Sequence, residues 1–537
     1  MLLTSRMHIN NLRKQKGAAL MMIAVMIAIT ASILLARNLN SSAQSTQREQ
    51  LTLQSLSEAK AALIAYSQSD STLPGQLPCP ENTSLIGTSS EGSASATCTT
   101  DSARIGRLPW HTLGINQLKD SDGEPLWYAV SSGFRAAPIN SDTVAQLSLN
   151  GTANAAVAIV FAPGAALSGQ SRPTVTAVSA PVQSAYLDQE NSNADTTFVN
   201  LTTSSNFNDQ LMTISHAELF QPLEKRVLNE LKTNLATYKT TWNAYPFPAP
   251  YSNPSVLNVN SFDGSISEVG GLLPISDPAA TYNDALHTYR LVDNVSGAVI
   301  TGTCVASNAT RVQCNASIPS SGGAIRSWTG TANLYFSNVG KGFITSNLTL
   351  ANINTTSATS TYIRPTSSTT RFTVTKTALN KKVDSAGNGI LQFVFTVSRT
   401  TSTATTLRVN LAAVHYPNTT ATWTNTGTSW LMTNNWYRFI YYRVASLYLP
   451  SGNIVLPTCN ADCLSINKTV ADGTVLITTN VPAIILSAGK ALTGQSHANG
   501  LLTDYFDSAN NAAGATIFDQ KVLLTDTFND QIKALDP

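Results

Sequence analysis

The hydrophobic positions of the chain form one continuous run, two helical periods and several alternating segments. From Ala18 to Ala36 no side chain is charged. At about 1.5 Å per residue a helix over this run is about 28 Å long, close to the ~30 Å hydrocarbon core of a bilayer. The run therefore predicts a transmembrane helix, with an apolar core formed by Ala18, Leu20, Met22, Ile23, Val25, Ile27, Ile29, Ile33 and Leu34.

Two further patterns predict helices with one apolar face. The first helix is expected to continue past Arg37 towards Tyr66, because apolar residues recur at Leu51, Leu53, Leu56, Ala59 and Leu63. A second helix is predicted over about 218–242. There, apolar residues recur every three or four positions at Leu223, Val227, Leu231, Leu235 and Tyr238.

Strand patterns are of two kinds. Residues 156–162 and 482–487 are continuously apolar, which predicts strands in the interior of a sheet. Between 391 and 397 the sequence alternates instead, with Leu391, Phe393, Phe395 and Val397 on one face. The region around these alternating strands is rich in Thr, Ser and Asn. It predicts a small all-β domain, for which we favour a sandwich; the Ser/Thr-rich stretch 355–370 is equally compatible with a linker.

The chain contains an internal repeat. Residues 158–171 read AIVFAPGAALSGQS and residues 483–496 read AIILSAGKALTGQS, with identical residues at eight of fourteen positions. Phe207-Asn-Asp-Gln-Leu211 recurs as Phe528-Asn-Asp-Gln-Ile532, and further short matches follow in the same order. The order of these matches predicts two copies of one module, the second of them interrupted by the β-rich insertion. We expect Phe207-Asn-Asp209 to fix the last strand through hydrogen bonds from side chains to backbone, and Gly169-Gln-Ser171 to form a turn.

The charges around the apolar run predict its orientation. Arg13, Lys14 and Lys16 precede it, so the N-terminus is expected in the cytoplasm and the remaining chain on the far side of the membrane. Three interpretations fit this arrangement: a cleaved secretory signal, for which the run is long, a permanent signal anchor, and a processed leader.

The third interpretation rests on a resemblance. Basic residues, a lone Gly17 and an uninterrupted apolar helix resemble the leader of type IV pilins and type II secretion pseudopilins. In the exported part, Leu77-Pro-Cys-Pro80 and Gly106-x-Leu-Pro-Trp110 look like a group of pseudopilin-like envelope proteins. The resemblance implies cleavage by a prepilin peptidase between Gly17 and Ala18, and methylation of Ala18. Met22 departs from the pattern, since the family usually carries Glu there, and this suits a minor or tip subunit.

The resemblance completes the predicted organisation. We expect an α+β protein with a long N-terminal transmembrane helix and two pilin-like modules, each a helix on an antiparallel sheet. The predicted segments are a cytoplasmic leader (1–17), the transmembrane helix and its extension (18–46), module one (47–217), module two (218–275 and 436–537) and the insertion (276–435). The expected location is the bacterial inner membrane, single-pass with a periplasmic bulk, with assembly into a filament. The expected partners are other pilin-like subunits bound through the helix, the peptidase and the membrane itself.

Six cysteines fall into three pairs that are close in sequence. In an exported chain this predicts three disulfides, Cys79–Cys98, Cys304–Cys314 and Cys459–Cys463, although sequence alone leaves pairing across these groups open. Some related pseudopilins bind calcium near one loop, and Asp120, Asp122 and Glu124 would supply oxygen ligands at alternate positions. A solvated turn explains the same three residues. No other cofactor is expected.

Composition narrows the classes of function. The chain has 33 Lys and Arg against 31 Asp and Glu, a net charge of +2, which argues against electrostatic binding of nucleic acid. Its 12% of charged residues is well below the ~25% typical of globular proteins, as expected for an exported surface rich in Ser, Thr and Asn. Metal-binding histidine pairs, hydrolase elbows and phosphate-binding glycine loops are absent from the sequence. These features predict a structural subunit and no enzyme. The alternative is an uncleaved, membrane-anchored binding or scaffold protein.

Overall fold

The computed structural model describes residues 15–536 of the 537-residue chain, with gaps. The residues outside the description within that range are 173–175, 177–179, 243, 253–267, 276–280, 283, 309–310, 320–323, 338–347, 350–372, 384–388, 401–404, 413, 416–429, 450–461 and 499. The chain divides into two compact units. The first holds residues up to Ser69 together with Gln76–Arg135 and Val144–Leu219, and the second holds Asp70–Gly75, Ala136–Thr143 and everything from Phe220.

The first unit combines a long helix with two small sheets. The helix α1 spans Gln15–Ser69. The strands are β1 (Ile105–Arg107), β2 (Trp127–Val130), β3 (Leu147–Leu149), β4 (Thr152–Ala156), β5 (Ala158–Ala162), β6 (Thr197–Phe198) and β7 (Gln210–Ile214). Four of them form an antiparallel sheet in the order β1-β2-β5-β7, and the other three form a sheet in the order β4-β3-β6. Between these sheets lies a core that includes Trp127, Phe161 and Phe198.

The second unit begins with the helix α2 (His216–Trp242), whose first residues belong to the first unit. This helix and its apolar face are confirmed, since Leu223, Val227, Leu231, Leu235 and Tyr238 are all buried. The next strands are β8 (Gly270–Leu272), β9 (Thr281–Tyr282), β10 (Thr288–Asp293), β11 (Val299–Asn308), β12 (Arg311–Ile318), β13 (Ile325–Ser337), β14 (Leu348–Thr349), β15 (Thr373–Val383), β16 (Gly389–Thr400), β17 (Thr405–Ala412) and β18 (Val414–His415).

The C-terminal part of the second unit carries three short helices and six strands. The helices are α3 (Trp430–Thr433), α4 (Leu502–Tyr505) and α5 (Ala509–Ala513). The strands are β19 (Ile440–Val444), β20 (Leu464–Thr469), β21 (Val475–Val481), β22 (Ala483–Ser487), β23 (Ile517–Lys521) and β24 (Gln531–Leu535). They complete a four-stranded sheet in the order β8-β19-β22-β24 and a three-stranded sheet in the order β21-β20-β23.

The two four-stranded sheets have the same topology. In the first unit Tyr128 pairs with Gly106 on one side and Val160 on the other. In the second, Tyr442 pairs with Gly271 and Ile485. The side sheets agree as well, because β3 and β20 each pair antiparallel with the following strand and parallel with a later one. The matching residues of the sequence repeat therefore occupy equivalent strands in both units.

The predicted apolar strands are interior strands. All residues of β5 and β22 are buried, and each of these strands has a neighbour on both sides. A strand with hydrogen-bonded neighbours on both edges and packed faces is expected to be apolar throughout.

The insertion forms an eight-stranded antiparallel sheet. Seven strands follow in the order β15-β16-β13-β10-β11-β12-β17, and β9 pairs with β13. The predicted alternation in β16 is confirmed for Phe393, Phe395 and Val397, which are buried, whereas Gln392 and Thr396 are only half-buried. The side chain of Leu391 and residues 355–370 lie outside the described residues.

Two segments from the first copy of the repeat belong to the second unit. In Ala136–Thr143, the backbone N–H of Ile139 donates to Asn434 Oδ1 at 2.8 Å, and Asn140 Nδ2 donates to the Asn434 carbonyl at 2.8 Å. Ser141 Oγ donates to the buried carboxylate of Glu224 at 2.7 Å. The boundary of the repeat is therefore not the boundary of the folded units.

The structure overturns the predicted membrane segment. No helix among the described residues combines the length and the apolar character needed to cross a bilayer. The transmembrane helix over 18–36, and the single-pass inner-membrane location derived from it, were therefore wrong predictions. The apolar run is only one part of the 55-residue helix α1, whose later turns carry charged residues such as Arg48, Glu49 and Glu58.

The predicted α+β class is also corrected. The described residues form 24 strands in six sheets and five helices, three of which have only four or five residues, so the protein is mostly β. The insertion is the main reason, because β13, β15 and β16 are 11–13 residues long. Thr and Val recur in these strands, and β-branched residues favour the pleated backbone.

Candidate functional site

The carboxyl-terminal part of α1 is packed against the first unit. Leu56, Ala59 and Leu63 are completely buried, at the helical spacing that the sequence predicted. Polar contacts fix the same part of the helix: Ser55 Oγ donates to the Lys119 carbonyl at 2.8 Å, and the backbone N–H of Ser121 donates to Thr52 Oγ1 at 3.1 Å. These contacts hold α1 in one position relative to the sheet.

The amino-terminal part of α1 is different. Every side chain described between residues 25 and 51 is exposed, and Val25 and Met26 expose 57% and 62% of their surface. The backbone of Gly17 and Ala18 lies in the first turns of α1, and residues 1–14 lie outside the described residues. Of the predicted apolar core, the structure describes only the side chain of Val25; those of Ala18, Leu20, Met22, Ile23, Ile27, Ile29, Ile33 and Leu34 lie outside it.

The loop that follows the proline-cysteine motif is closed by a disulfide. Cys79 and Cys98 are bonded, as predicted, and so are Cys304 and Cys314 on β11 and β12. Cys463 is also disulfide-bonded, but its predicted partner Cys459 lies outside the described residues. Disulfides persist in oxidising compartments, which indicates a location outside the cytoplasm.

A buried ion pair supports the same loop. Arg107 Nε lies 3.0 Å from Glu81 Oε2, and Glu81 Oε1 accepts a hydrogen bond from the backbone of Gly92 at 2.9 Å. Burial raises the pKa of Glu81, against the opposing effect of Arg107. Gly92 has φ +83°, and an added Cβ would lie 2.2 Å from the ring of Trp110, so both backbone and space require glycine here.

The predicted calcium ligands have other partners. Asp120 Oδ1 accepts the backbone N–H groups of Asp122 and Glu124 at 2.9 Å, and its Oδ2 accepts that of Gly164 at 2.8 Å. Asp122 is paired with Arg48, and Glu124 Oε1 lies 3.2 Å from Arg172. Within the described residues no three metal-ligating side chains are grouped to hold an ion. The loop is thus a hydrogen-bonded turn, and the geometry gives calcium no support.

A buried polar network is present at the end of the first repeat. Asp209 Oδ2 accepts the backbone N–H of Asp188 and the side-chain amide of Asn191, both at 2.9 Å. Asp188 in turn accepts the backbone N–H of Asn208 at 2.7 Å and the side chain of Gln170 at 2.8 Å. Gln170 Oε1 accepts the N–H of Leu167 at 2.9 Å, which closes the Gly-Gln-Ser turn.

The second repeat contains the same network. Asp530 Oδ2 accepts the backbone N–H of Asp507 at 2.9 Å and the side-chain amide of Asn511 at 2.8 Å. Asp507 accepts the N–H of Asn529 at 2.6 Å and the side chain of Gln495 at 3.0 Å. The predicted role of the Phe-Asn-Asp segment is confirmed, since its Asp and Asn side chains bond to backbone groups in both copies. We call these the duplicated networks.

The central aspartates of both networks hold protons unusually well. Burial raises the pKa of Asp209 to about 7, although hydrogen bonds from Asn191 and from the backbone of Asp188 oppose the shift. Burial, followed by the charge of Asp507, raises the pKa of Asp530 well above its ordinary range. Asp209 can therefore bind a proton near neutral pH, but in both networks the central carboxyl is buried and points inward to backbone groups. They stabilise loops and do not resemble a catalytic centre.

Sequence reasoning missed part of this arrangement. It singled out the Gln and the Phe-Asn-Asp segments but not Asn191 and Asn511, whose helical turns have different lengths in the two copies. The match of Asp188 with Asp507 could have indicated them, because Asn191 lies three residues after Asp188 and Asn511 lies four residues after Asp507.

No protein-family model matches the chain, and searches of curated proteins and of solved structures give no match either.

Proposed function

We propose that the chain is a pilin-like structural subunit, of the minor or tip kind, that joins a filament of a type IV pilus or type II secretion system through the amino-terminal part of α1. The observation that carries the proposal is the contrast within this helix. Leu56, Ala59 and Leu63 are buried against the first unit, whereas the side chains described from 25 to 51, Val25 and Met26 among them, are exposed.

The amino-terminal part of α1 presents exposed apolar side chains. Val25 and Met26 are more than half exposed, and they lie in a run that carries no charge from Ala18 to Ala36. Apolar surface left in water costs about 25 cal/mol per Å², so packing such helices against one another is favourable. The leader resemblance, with Gly17 before the run, supports the same interpretation.

The disulfides are compatible with this role. A filament subunit works outside the cytoplasm, where the Cys79–Cys98 and Cys304–Cys314 bonds are stable. The eight-stranded insertion would be bulky for a dense filament interior, which is why we assign the chain to a tip or low-copy position.

Processing tests the proposal directly. We expect mass spectrometry of the chain, produced together with a prepilin peptidase, to show a mature N-terminus at methylated Ala18. Gly17→Val should block cleavage, whereas Ser5→Val, elsewhere in the leader, should leave it unchanged. An intact Met1 in the native chain would overturn the proposal and favour an uncleaved scaffold protein.

Assembly provides a second test. Val25→Glu with Met26→Glu should abolish co-purification with filaments, because charges would be buried between helices. Gln50→Glu, on the exposed part of the same helix, is the matched control and should have little effect. Equal incorporation of the double variant and the control would contradict assembly through this segment.

A further inference from the structure

A concavity of about 500 Å³ in the second unit is unusually basic. It lies where α2 meets the side sheet and the last strand, and its walls carry Lys225, Lys232, Lys468 and Lys533. We call it the basic concavity. Among the described residues that line it, the only carboxylate is that of Asp536, whose Oδ2 lies 2.8 Å from Lys232 Nζ. The described lining therefore has a formal excess of three positive charges.

The floor of the basic concavity is apolar. Leu228 of α2, Ile466 of β20 and Ile532 of β24 are all buried and contribute to its lining. The volume falls within the ~300–1,000 Å³ typical of sites for small molecules, which combine an apolar lining with a few polar groups. Such a site suits a ligand with a carbon skeleton and several negative charges.

The first copy of the module shows that the fold does not require Lys225 and Lys533. The match of Leu63 and Tyr66 with Leu235 and Tyr238 places Leu53 where α2 carries Lys225. The strand register places Met212, paired with Val160, where Lys533 pairs with Ile485. Two positively charged residues of the second copy thus replace two apolar ones on the same framework.

Of the remaining two lysines, only Lys468 adds to this contrast. Lys232 has a lysine counterpart, Lys60, which forms a salt bridge with Glu218 in the first unit, as Lys232 does with Asp536 in the second. Lys468 lies on β20, which has six residues where its counterpart β3 has three. Lysines that only improve solubility would be expected to be scattered over the surface, whereas here they surround one depression.

We propose that the basic concavity binds a small organic polyanion, a phosphorylated or sulfated sugar in chemical class, with its ester groups on the lysines and its carbon skeleton on Leu228, Ile466 and Ile532. Several ammonium groups around a partly apolar depression attract multiply charged oxyanions strongly, and salt weakens this attraction. The inference does not depend on filament assembly.

Titration calorimetry on the full chain tests this inference with two probes that share one carbon skeleton, a phosphorylated disaccharide and the equally substituted sulfated disaccharide. We expect at least one probe to bind, and the stronger one identifies the ester. Lys225→Gln with Lys533→Gln should weaken that binding at least tenfold. The matched control, Lys490→Gln with Lys521→Gln, removes two exposed lysines of the same unit outside the concavity and should change binding less than twofold.

Two results would overturn the inference. One is the absence of binding of both probes at millimolar concentration and moderate salt. The other is an equal loss in both double variants, which would mean that net charge alone attracts the anions. Circular dichroism of each variant verifies that folding is unchanged, and because N-terminal processing is measured separately, failure here leaves the proposed function standing.

Discussion

The two copies of the module share their internal framework and differ on their surface. Both have the same four-stranded order, the same side sheet and the same polar network around Asp209 or Asp530. At equivalent positions near the network, however, the first copy has Arg172 and the second has His497. Arg172 donates to the carbonyls of Gly164 and Ala185, whereas His497 Nδ1 lies 2.8 Å from Asp142 and the ring stacks on Tyr505.

This comparison separates what the fold needs from what each copy has acquired. A buried carboxylate that organises two backbone loops is retained twice, as expected where buried donors must be hydrogen-bonded. The residues around it have changed charge and partner. Differences between the copies are therefore better guides to function than the features they share, and mutations can test this division.

The largest effect is expected from removing the central aspartates. Asp209→Ala removes the acceptor of the Asp188 N–H and one of the two acceptors of the Asn191 amide, and Asp530→Ala does the same to Asp507 and Asn511 in the second unit. Each buried unsatisfied donor costs about 1–3 kcal/mol, so we expect each variant to lose about 2–5 kcal/mol of unfolding free energy.

Hydrogen exchange with mass spectrometry measures this loss peptide by peptide. Protection should fall around residues 188–209 in Asp209→Ala and around 507–530 in Asp530→Ala. If only one of the two variants lost protection, the two networks would not be energetically equivalent and the comparison would fail.

An intermediate effect is expected from the disulfide of the first copy. Cys79→Ser with Cys98→Ser opens a bond between residues separated by 19 positions. Loop-closure entropy gives about 3 kcal/mol for such a loop. Urea unfolding should show this loss, and Cys304→Ser with Cys314→Ser, which opens a bond with a separation of 10, should lose somewhat less. A larger loss for the shorter loop would contradict the entropic explanation.

The smallest expected effect, counted per pH unit, is a change of the unfolding free energy with pH. The pKa of Asp209 in the folded state, about 7, lies above the ordinary value of 3.8, so the folded state binds the proton more tightly. Its stabilising contribution is complete below about pH 4 and is lost as the pH rises through 7. The slope between these values is at most about 1.4 kcal/mol per pH unit.

Asparagine isolates this contribution, because it retains the acceptor oxygen but not the titration. The unfolding free energy of the native chain minus that of Asp209→Asn should fall between pH 5 and 7 and level off above. For Asp530→Asn the difference should also fall with rising pH, since burial and the charge of Asp507 raise the pKa of Asp530 well above its ordinary range. Differences that do not change with pH would show that both aspartates are charged in the folded state.

The sequence was informative where a pattern was local and repeated. Phe393, Phe395 and Val397 alternate as a half-buried strand must, and the face of α2 follows directly from the spacing of its leucines. The two short-range disulfides also followed from spacing. The duplicated networks were only partly predictable, because Asn191 and Asn511 reach their aspartates through tertiary contacts.

Other predictions failed for identifiable reasons. The apolar run 18–36 predicted a membrane crossing, but no described helix combines the length and apolar character that a crossing needs, and the class prediction underestimated the contribution of the β-rich insertion. Calcium binding at the 120–124 loop stays a prediction; in sequence its carboxylates looked like cation ligands. Their spacing could not reveal that Arg48 and Arg172, distant along the chain, would pair with Asp122 and Glu124.

The segment Ala136–Thr143 also sets an order of events during synthesis. It leaves the ribosome well before Asn434, to which Ile139 and Asn140 bind, is made. At ~5–20 residues per second this interval is roughly 15–60 s. During that time the first unit can complete its four-stranded sheet, whereas Ala136–Thr143 cannot yet form its hydrogen bonds to Asn434. The second unit therefore completes its fold only when it binds a segment that was synthesised much earlier than most of its other residues.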